Sequence, residues 1–214
     1  MKIISVEMIK KLFPDAIERT YEKKQIVCHD GDKPNTVYFI LEGHIKLYDI
    51  DDQGNEKILH INGPNNLFPM LYAYNYTKEI DGFYACLDKT RLLVIPITSF
   101  KSTVDNNHEL AKTLMDWFLG EIQELIFRLS AMEKNDARNK ILFALKSLSL
   151  YYSHREGSWM AIDFPITRQF MADYTGLARE TVSIAMSELE KDKIIRRNLS
   201  KEIEVKVDAL PISF

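Results

Sequence analysis

The sequence is poor in cysteine, in long apolar runs and in any excess of one charge. Cys28 and Cys86 are its only cysteines in 214 residues. Two are too few for a disulfide framework or for a four-cysteine zinc or iron–sulfur site. No stretch reaches the roughly 18 consecutive apolar residues of a membrane helix, and Met1–Glu7 lacks the apolar core of a signal peptide. The 28 Lys+Arg set against 31 Asp+Glu leave a net charge of −3, which excludes a basic protein that coats nucleic acid by bulk charge. Histidine is also sparse. His44 and His60 stand apart with no His-x-His pair, so a cupin-like metal enzyme is not expected. His29, His44, His60, His108 and His154 read as surface or strand residues rather than haem ligands. A reduced, cytoplasmic, non-enzymatic protein without a membrane partner is expected. With 46% hydrophobic and 28% charged residues it has ample material for a core.

Three zones are legible, and together they predict an α+β protein. Residues 1–106 read mainly as short strands. Thr36-Val37-Tyr38-Phe39-Ile40-Leu41 is β-branched and aromatic, lying between Pro34-Asn35 and Glu42-Gly43, and a hairpin turn is expected at Asp51–Asn55. Glycines at 31, 43, 54 and 63 set turns about every ten residues, the pattern of a β-barrel or jelly roll rather than of a βαβ fold. Arg91–Ile95 reads as a last buried strand stopped by Pro96, with a short helix after it.

Residues 107–134 read as one long helix, with Asn106 as N-cap and Glu109 completing a capping box. Ala111, Met115, Phe118, Ile122, Leu125, Leu129 and Met132 are spaced alternately four and three apart. A seam of this kind sustained over three heptads predicts pairing with a second copy in a parallel homodimer. Leu110, Leu114, Trp117 and Ile126 form a second set expected to pack on the barrel.

Residues 135–214 begin at an expected hinge, Asn135-Asp136, followed by a helix from Ala137 to about Ser153 and a loop over His154–Ser158. Met160–Ile166 reads as a strand, then two helices and a hairpin whose strands hold Ile194–Arg197 and Ile203–Val207. In Thr167–Ser183 a small residue, Ala172, is followed by Gly176 four positions later and Val182 six after that. This is helix-turn-helix spacing: the small residue permits close helix approach, the glycine turns the chain and the aliphatic residue packs the second helix on the first. With a hairpin behind it, the segment predicts a winged helix that binds double-stranded DNA. Arg179 and Glu180 open the second helix, where Arg can donate two bonds to guanine and Glu can accept from cytosine N4. Ser183 lies one turn on. Thr167, Arg168 and Gln169 open the first helix as phosphate contacts or plain caps, and Arg196 and Arg197 in the wing are phosphate candidates or a solvated face. Residues 160–207 carry eight basic and eight acidic side chains, so affinity must come from placed contacts on two half-sites.

Ile166-Thr167-Arg168-Gln169 and Gly176–Ser183 resemble the recognition motif of the Crp/Fnr family of bacterial regulators, and the likeness runs along nearly the whole chain. It implies residues 1–106 as an effector-sensing jelly roll, 107–134 as a dimerisation helix and 135–214 as a winged-helix domain reading a palindromic operator, with RNA polymerase as a partner. It also implies base contacts by Arg179, Glu180 and Ser183. Ile184 stands where many members carry a further arginine, so it is expected to read its position differently or apolarly, against a thymine methyl. Ala178 replaces a usual capping serine.

The family's Gly-Glu-Leu and Arg-Ser/Thr nucleotide motifs correspond here to Leu67–Leu71 and Glu79–Gly82. Pro69 takes the place of the ribose carboxylate and Ile80 that of the phosphate arginine. Cyclic AMP in the usual mode is therefore not expected, nor an Fnr-type cluster. Phe68, Met70, Leu71, Ile80 and Phe83, in a stretch that also holds Tyr72, Tyr74, Tyr76 and Tyr84, are candidates to line a small-molecule effector pocket. A regulator acting without an effector, or a ligand-binding subunit whose C-terminal module docks on a protein, are the alternatives. Cys28 and Cys86 are expected to be inert.

Overall fold

The computed structural model describes residues 4–73, 78–134, 136–199 and 202–209. The chain divides into two compact units, Met1–Glu121 and Ile122–Phe214.

In the first unit, helix α1 (Val6–Leu12) starts at Ser5, whose hydroxyl accepts a hydrogen bond from the Met8 amide at 3.1 Å. The strands are β1 (Ile17–Tyr21), β2 (Ile26–Cys28), β3 (Thr36–Glu42), β4 (Ile45–Ile50), β5 (Glu56–Asn62) and β6 (Leu67–Phe68). A single turn α2 (Met70–Ala73) follows, then β7 (Phe83–Cys86), β8 (Thr90–Pro96) and α3 (Ile97–Asp105). Two antiparallel sheets result, ordered β1-β8-β3-β6 and β2-β7-β4-β5, an arrangement compatible with a jelly roll.

The apolar run of β3 is unbroken because both of its faces are covered. Val37 and Phe39, with Leu93 and Ile95 of β8, pack in a cluster with Ile9, Phe100, Leu110 and Trp117. Ile40 and Leu92 point the other way, into a cluster with Ile45, Phe68 and Tyr84. Gly43 follows β3 at φ +87°, where an added Cβ would lie 2.6 Å from the Lys89 carbonyl oxygen. That close approach lets the Asp88 carboxylate accept from the His44 amide at 2.7 Å and meet its ring Nδ1 at 2.8 Å.

Helix α4 (His108–Met132) runs through the division between the units. Its cap is Asn107, whose Oδ1 accepts from the Leu110 amide at 2.9 Å. The expected cap, Asn106, instead ends α3 and donates from Nδ2 to the Ser102 carbonyl at 2.8 Å. Of the set expected to pack inward, Leu110, Leu114 and Trp117 are buried, but Ile126 is 56% exposed. Sixteen positions beyond Leu110, a 3.6-residue repeat has carried it off that face.

The second unit contains α5 (Ala137–Tyr151), β9 (Ser153–Glu156), β10 (Trp159–Ile162), α6 (Arg168–Thr175), α7 (Arg179–Lys191), β11 (Ile195–Arg197), β12 (Ile203–Lys206) and a 3-10 turn at Val207–Ala209. Asp136 caps α5 by accepting from the Asn139 amide at 2.8 Å. Asn135, its partner in the expected hinge, lies outside the described residues. The sheet order is β11-β12-β10-β9. Residues 153–156, expected mainly as loop, are a strand, because the turn at Gly157 (φ +63°) returns the chain along β10. Ile141, Leu145, Leu148, Phe164, Met171, Val182, Met186 and Leu189 are buried in this unit.

Candidate nucleic-acid interface

Thr167 caps α6, its hydroxyl accepting from the Phe170 amide at 3.0 Å. Ala172 is buried, and Gly176 ends α6 in the left-handed region at φ +70°, its amide bonding back to the Ala172 carbonyl at 2.9 Å. Ala178 then starts α7 without a side-chain cap, and Val182 is fully buried. The spacing read from the sequence is thus realised: α6 is buried through Phe170, Met171 and Tyr174, and α7 packs on α5 and α6.

Arg179 and Glu180 are both exposed in the first turn of α7, and neither makes a side-chain hydrogen bond or ion pair among the described residues. Ser183 is half-buried and Ile184 is 64% exposed. Ser187 donates back to the Ser183 carbonyl at 2.8 Å. An uncapped helix start offers amide donors and the positive end of its dipole, and here it presents one cation and one anion beside them.

The other candidates are more engaged. Gln169 donates to Asp173 at 2.7 Å, and Arg168 is only partly exposed. In the wing, Arg196 pairs with the fully buried Glu204 and lies 4.3 Å over the Trp159 ring. Arg197 reaches the Ile166 carbonyl at 3.4 Å.

Residues 18–107 match the model of the cyclic nucleotide-binding domain, and residues 142–210 that of the Crp-like helix-turn-helix domain. The chain is 25% identical to the global nitrogen regulator of a Nostoc species, covering 88% of this chain and 85% of that one. It is 28% identical to the regulatory protein HlyX of Actinobacillus pleuropneumoniae, covering 83% and 73%. The solved structure of FixK2 from Bradyrhizobium japonicum superposes with a TM-score of 0.76 at 18% identity, over 93% of this chain and 98% of that one. The chain belongs to the Crp/Fnr family. It is a DNA-binding transcription regulator of that type.

The second unit of this Crp/Fnr regulator also holds a polar cluster that the sequence reading missed. Glu124 on α4 is 4% exposed and accepts from the Tyr152 hydroxyl at 2.9 and 3.0 Å. Arg128, one turn on, donates to the Tyr174 carbonyl at 3.3 Å and lies 4.5 Å over the Tyr174 ring. Burial pulls the guanidinium below its usual range and pushes the Tyr174 phenol up to about 12, with Arg128 acting against that rise. Arg128 thereby holds the C-terminal end of α6. The available signal was the spacing: Glu124 and Arg128 continue the stripe begun by Leu110, Leu114 and Trp117.

Along the outer face of α4, Met115, Ile122, Leu125, Leu129 and Met132 are between 44% and 60% exposed, and Leu119 and Ile126 widen the strip. Ala111 and Phe118 are partly buried.

The expected effector residues do not converge. Phe68 is stacked between Tyr38 and Tyr84 at 5.1 Å from each. Met70 belongs to the other core cluster, Leu71 is 61% exposed, and Phe83 stacks on Tyr48. Aromatic residues in this stretch fill the core rather than line one space; Tyr74 and Tyr76 lie outside the described residues. Ile80 does line a cavity of about 250 Å³, together with Val27, Cys28, Asp32, Lys33, Pro34, Asn35, Thr36, Tyr38 and Pro69. Among the described residues its walls carry no arginine and set Asp32 beside Lys33. Cys28 is buried and its thiol is pushed up to about 12, first by burial and then by Asp32. Burial lifts the Cys86 thiol to about 11. Neither has the depressed pKa of a reactive cysteine. Among the described residues, no helix is long and apolar enough to cross a membrane.

Proposed function

We propose that this regulator acts in the cytoplasm as a homodimer on a palindromic operator, without enzymatic activity of its own. The seams of two α4 helices, within residues 107–134, close on each other and set two α7 helices in successive major grooves about 34 Å apart. Arg179 and Glu180 read base edges, Ser183 reaches a base or phosphate, and Thr167, Arg168 and Gln169 lie toward the backbone. RNA polymerase is the downstream partner. Control comes from a small effector other than cyclic AMP, seated beside Ile80, or the protein acts without one.

The observation that carries this reading is the pair Arg179 and Glu180, exposed and unengaged at a helix start that no side chain caps. A cation there opposes the helix dipole, and a guanine edge would compensate it. Sites selected from random duplexes provide the test. Replacing Arg179 with alanine should cost about 1–3 kcal/mol on the selected site, read by gel-shift titration. Undiminished affinity would refute base reading by α7.

A further inference from the structure

The reading face of α7 carries one side chain that cannot form a hydrogen bond and is nevertheless directed into solvent. Ile184 is 64% exposed, while the other aliphatic residues of α7 after Ala178, namely Val182, Ala185, Met186 and Leu189, are buried. Ser183, Ile184, Ser187, Glu188 and Lys191 line a shallow depression along this face. Ser187 donates its hydroxyl proton to the Ser183 carbonyl, which turns that donor inward and leaves Ile184 as the apolar feature of the face. A β-branched residue is a weak choice for an exposed helix position, so neither helix formation nor core packing accounts for it.

Ile184 follows Glu180 by four positions, on the same side of the helix and one turn further along. We infer that Ile184 is a specificity-determining residue that packs against the 5-methyl group of a thymine, at a base step next to those met by Arg179 and Glu180. The major-groove edges of the four base pairs present hydrogen-bonding groups and one apolar group, the thymine methyl. An isoleucine gains from covering that methyl and gains nothing from the cytosine N4 amine, so it selects T over C. Its single preferred rotamer in a helix makes the contact position-specific. The inference rests on the reading of α7 as the helix that enters the groove.

Deoxyuridine differs from thymidine by that methyl alone. In duplexes carrying the selected operator, each thymine is replaced in turn by deoxyuridine, and binding is titrated with the full-length protein and with Ile184→Ala. At one thymine per half-site, the replacement should weaken wild-type binding about four-fold, the equivalent of one apolar carbon removed from contact. Changing both half-sites together should weaken it about sixteen-fold on the same basis. Ile184→Ala should be indifferent to the same change.

If no thymine is sensitive, or if Ile184→Ala loses as much as wild type, the assignment is overturned. Arg179→Ala on the same duplexes separates the two levels. Loss with Arg179→Ala but none with deoxyuridine removes Ile184 from the reading and leaves α7 in the groove. No loss with either removes α7 from the groove and Ile184 with it.

Discussion

Over Leu110, Leu114 and Trp117 the inward face of α4 is apolar and packs in the core of the first unit. Over Glu124 and Arg128 the same stripe is polar and binds Tyr152 and Tyr174 in the second. Both stretches remove the helix from water, but by different physics. Apolar contact is non-directional and roughly proportional to buried area, so it tolerates small rotations. A carboxylate accepting a hydrogen bond from a phenol, and a planar guanidinium lying on a ring while bonding a carbonyl, hold only within narrow angles. Burying such groups gains little stability over an apolar pair. Within the second unit the polar stretch therefore fixes how the last turns of α4 meet α6.

The comparison can be broken by substitution. Leu114→Ala, which leaves a cavity in a packed core, should cost about 2–5 kcal/mol. Arg128→Lys keeps the charge but loses the fork and the stacking face, and should cost about 1.5–3 kcal/mol. Leu114→Met, conserving volume, should cost less than about 1.5 kcal/mol. Urea-unfolding midpoints measure all three. An Arg128→Lys variant as stable as Leu114→Met would remove the contrast between directional and non-directional burial.

The outer face of α4 sharpens the same contrast, because from Ile122 to Met132 it carries apolar side chains that are exposed. Leu125→Glu should change the stability of the isolated chain by no more than about 0.5 kcal/mol, since no packed neighbour is lost. The same change puts a charge into the proposed seam, so sedimentation should show the mass falling to that of a single chain. A variant that still sediments as a dimer would place the self-association surface elsewhere.

What the sequence disclosed follows from the range of each constraint. The helix-turn-helix was legible because its requirements lie within a dozen residues: Ala172 small, Gly176 at positive φ, Val182 buried. The exposed apolar strip of α4 was legible as a period. The partners of Glu124 and Arg128 lie 28 and 46 residues away, and no local pattern announces them. The cap of α4 was misplaced by one residue because Asn106 and Asn107 are chemically equal and only the end of α3 decides between them. The candidate effector residues scatter, with only Ile80 on a cavity, for a related reason: an aromatic-rich stretch reads the same whether it lines a space or fills one, and Phe68 fills one.

The smallest expected effect concerns a polar cluster on the surface of the second unit, against the buried one at Glu124 and Arg128. His154 places Nδ1 2.5 Å from Asp163 and Nε2 3.2 Å from Glu156. The hydrogen bond to Asp163, then that to Glu156, raises its pKa above 6.5. The folded protein therefore binds the proton more tightly than the unfolded chain does. The resulting stabilisation is fully present below the unfolded value, about 6.5, and is lost as pH rises through the higher folded value. The ring is half exposed, so solvent screens the pair and the gain is small. An NMR titration of His154 should give a midpoint above 6.5 that falls with Asp163→Asn and falls less with Glu156→Gln. The Asp163→Asn variant should also flatten the decline of the urea midpoint between about pH 6 and 8. A His154 midpoint unmoved by Asp163→Asn would show that these two short surface contacts do not hold the proton.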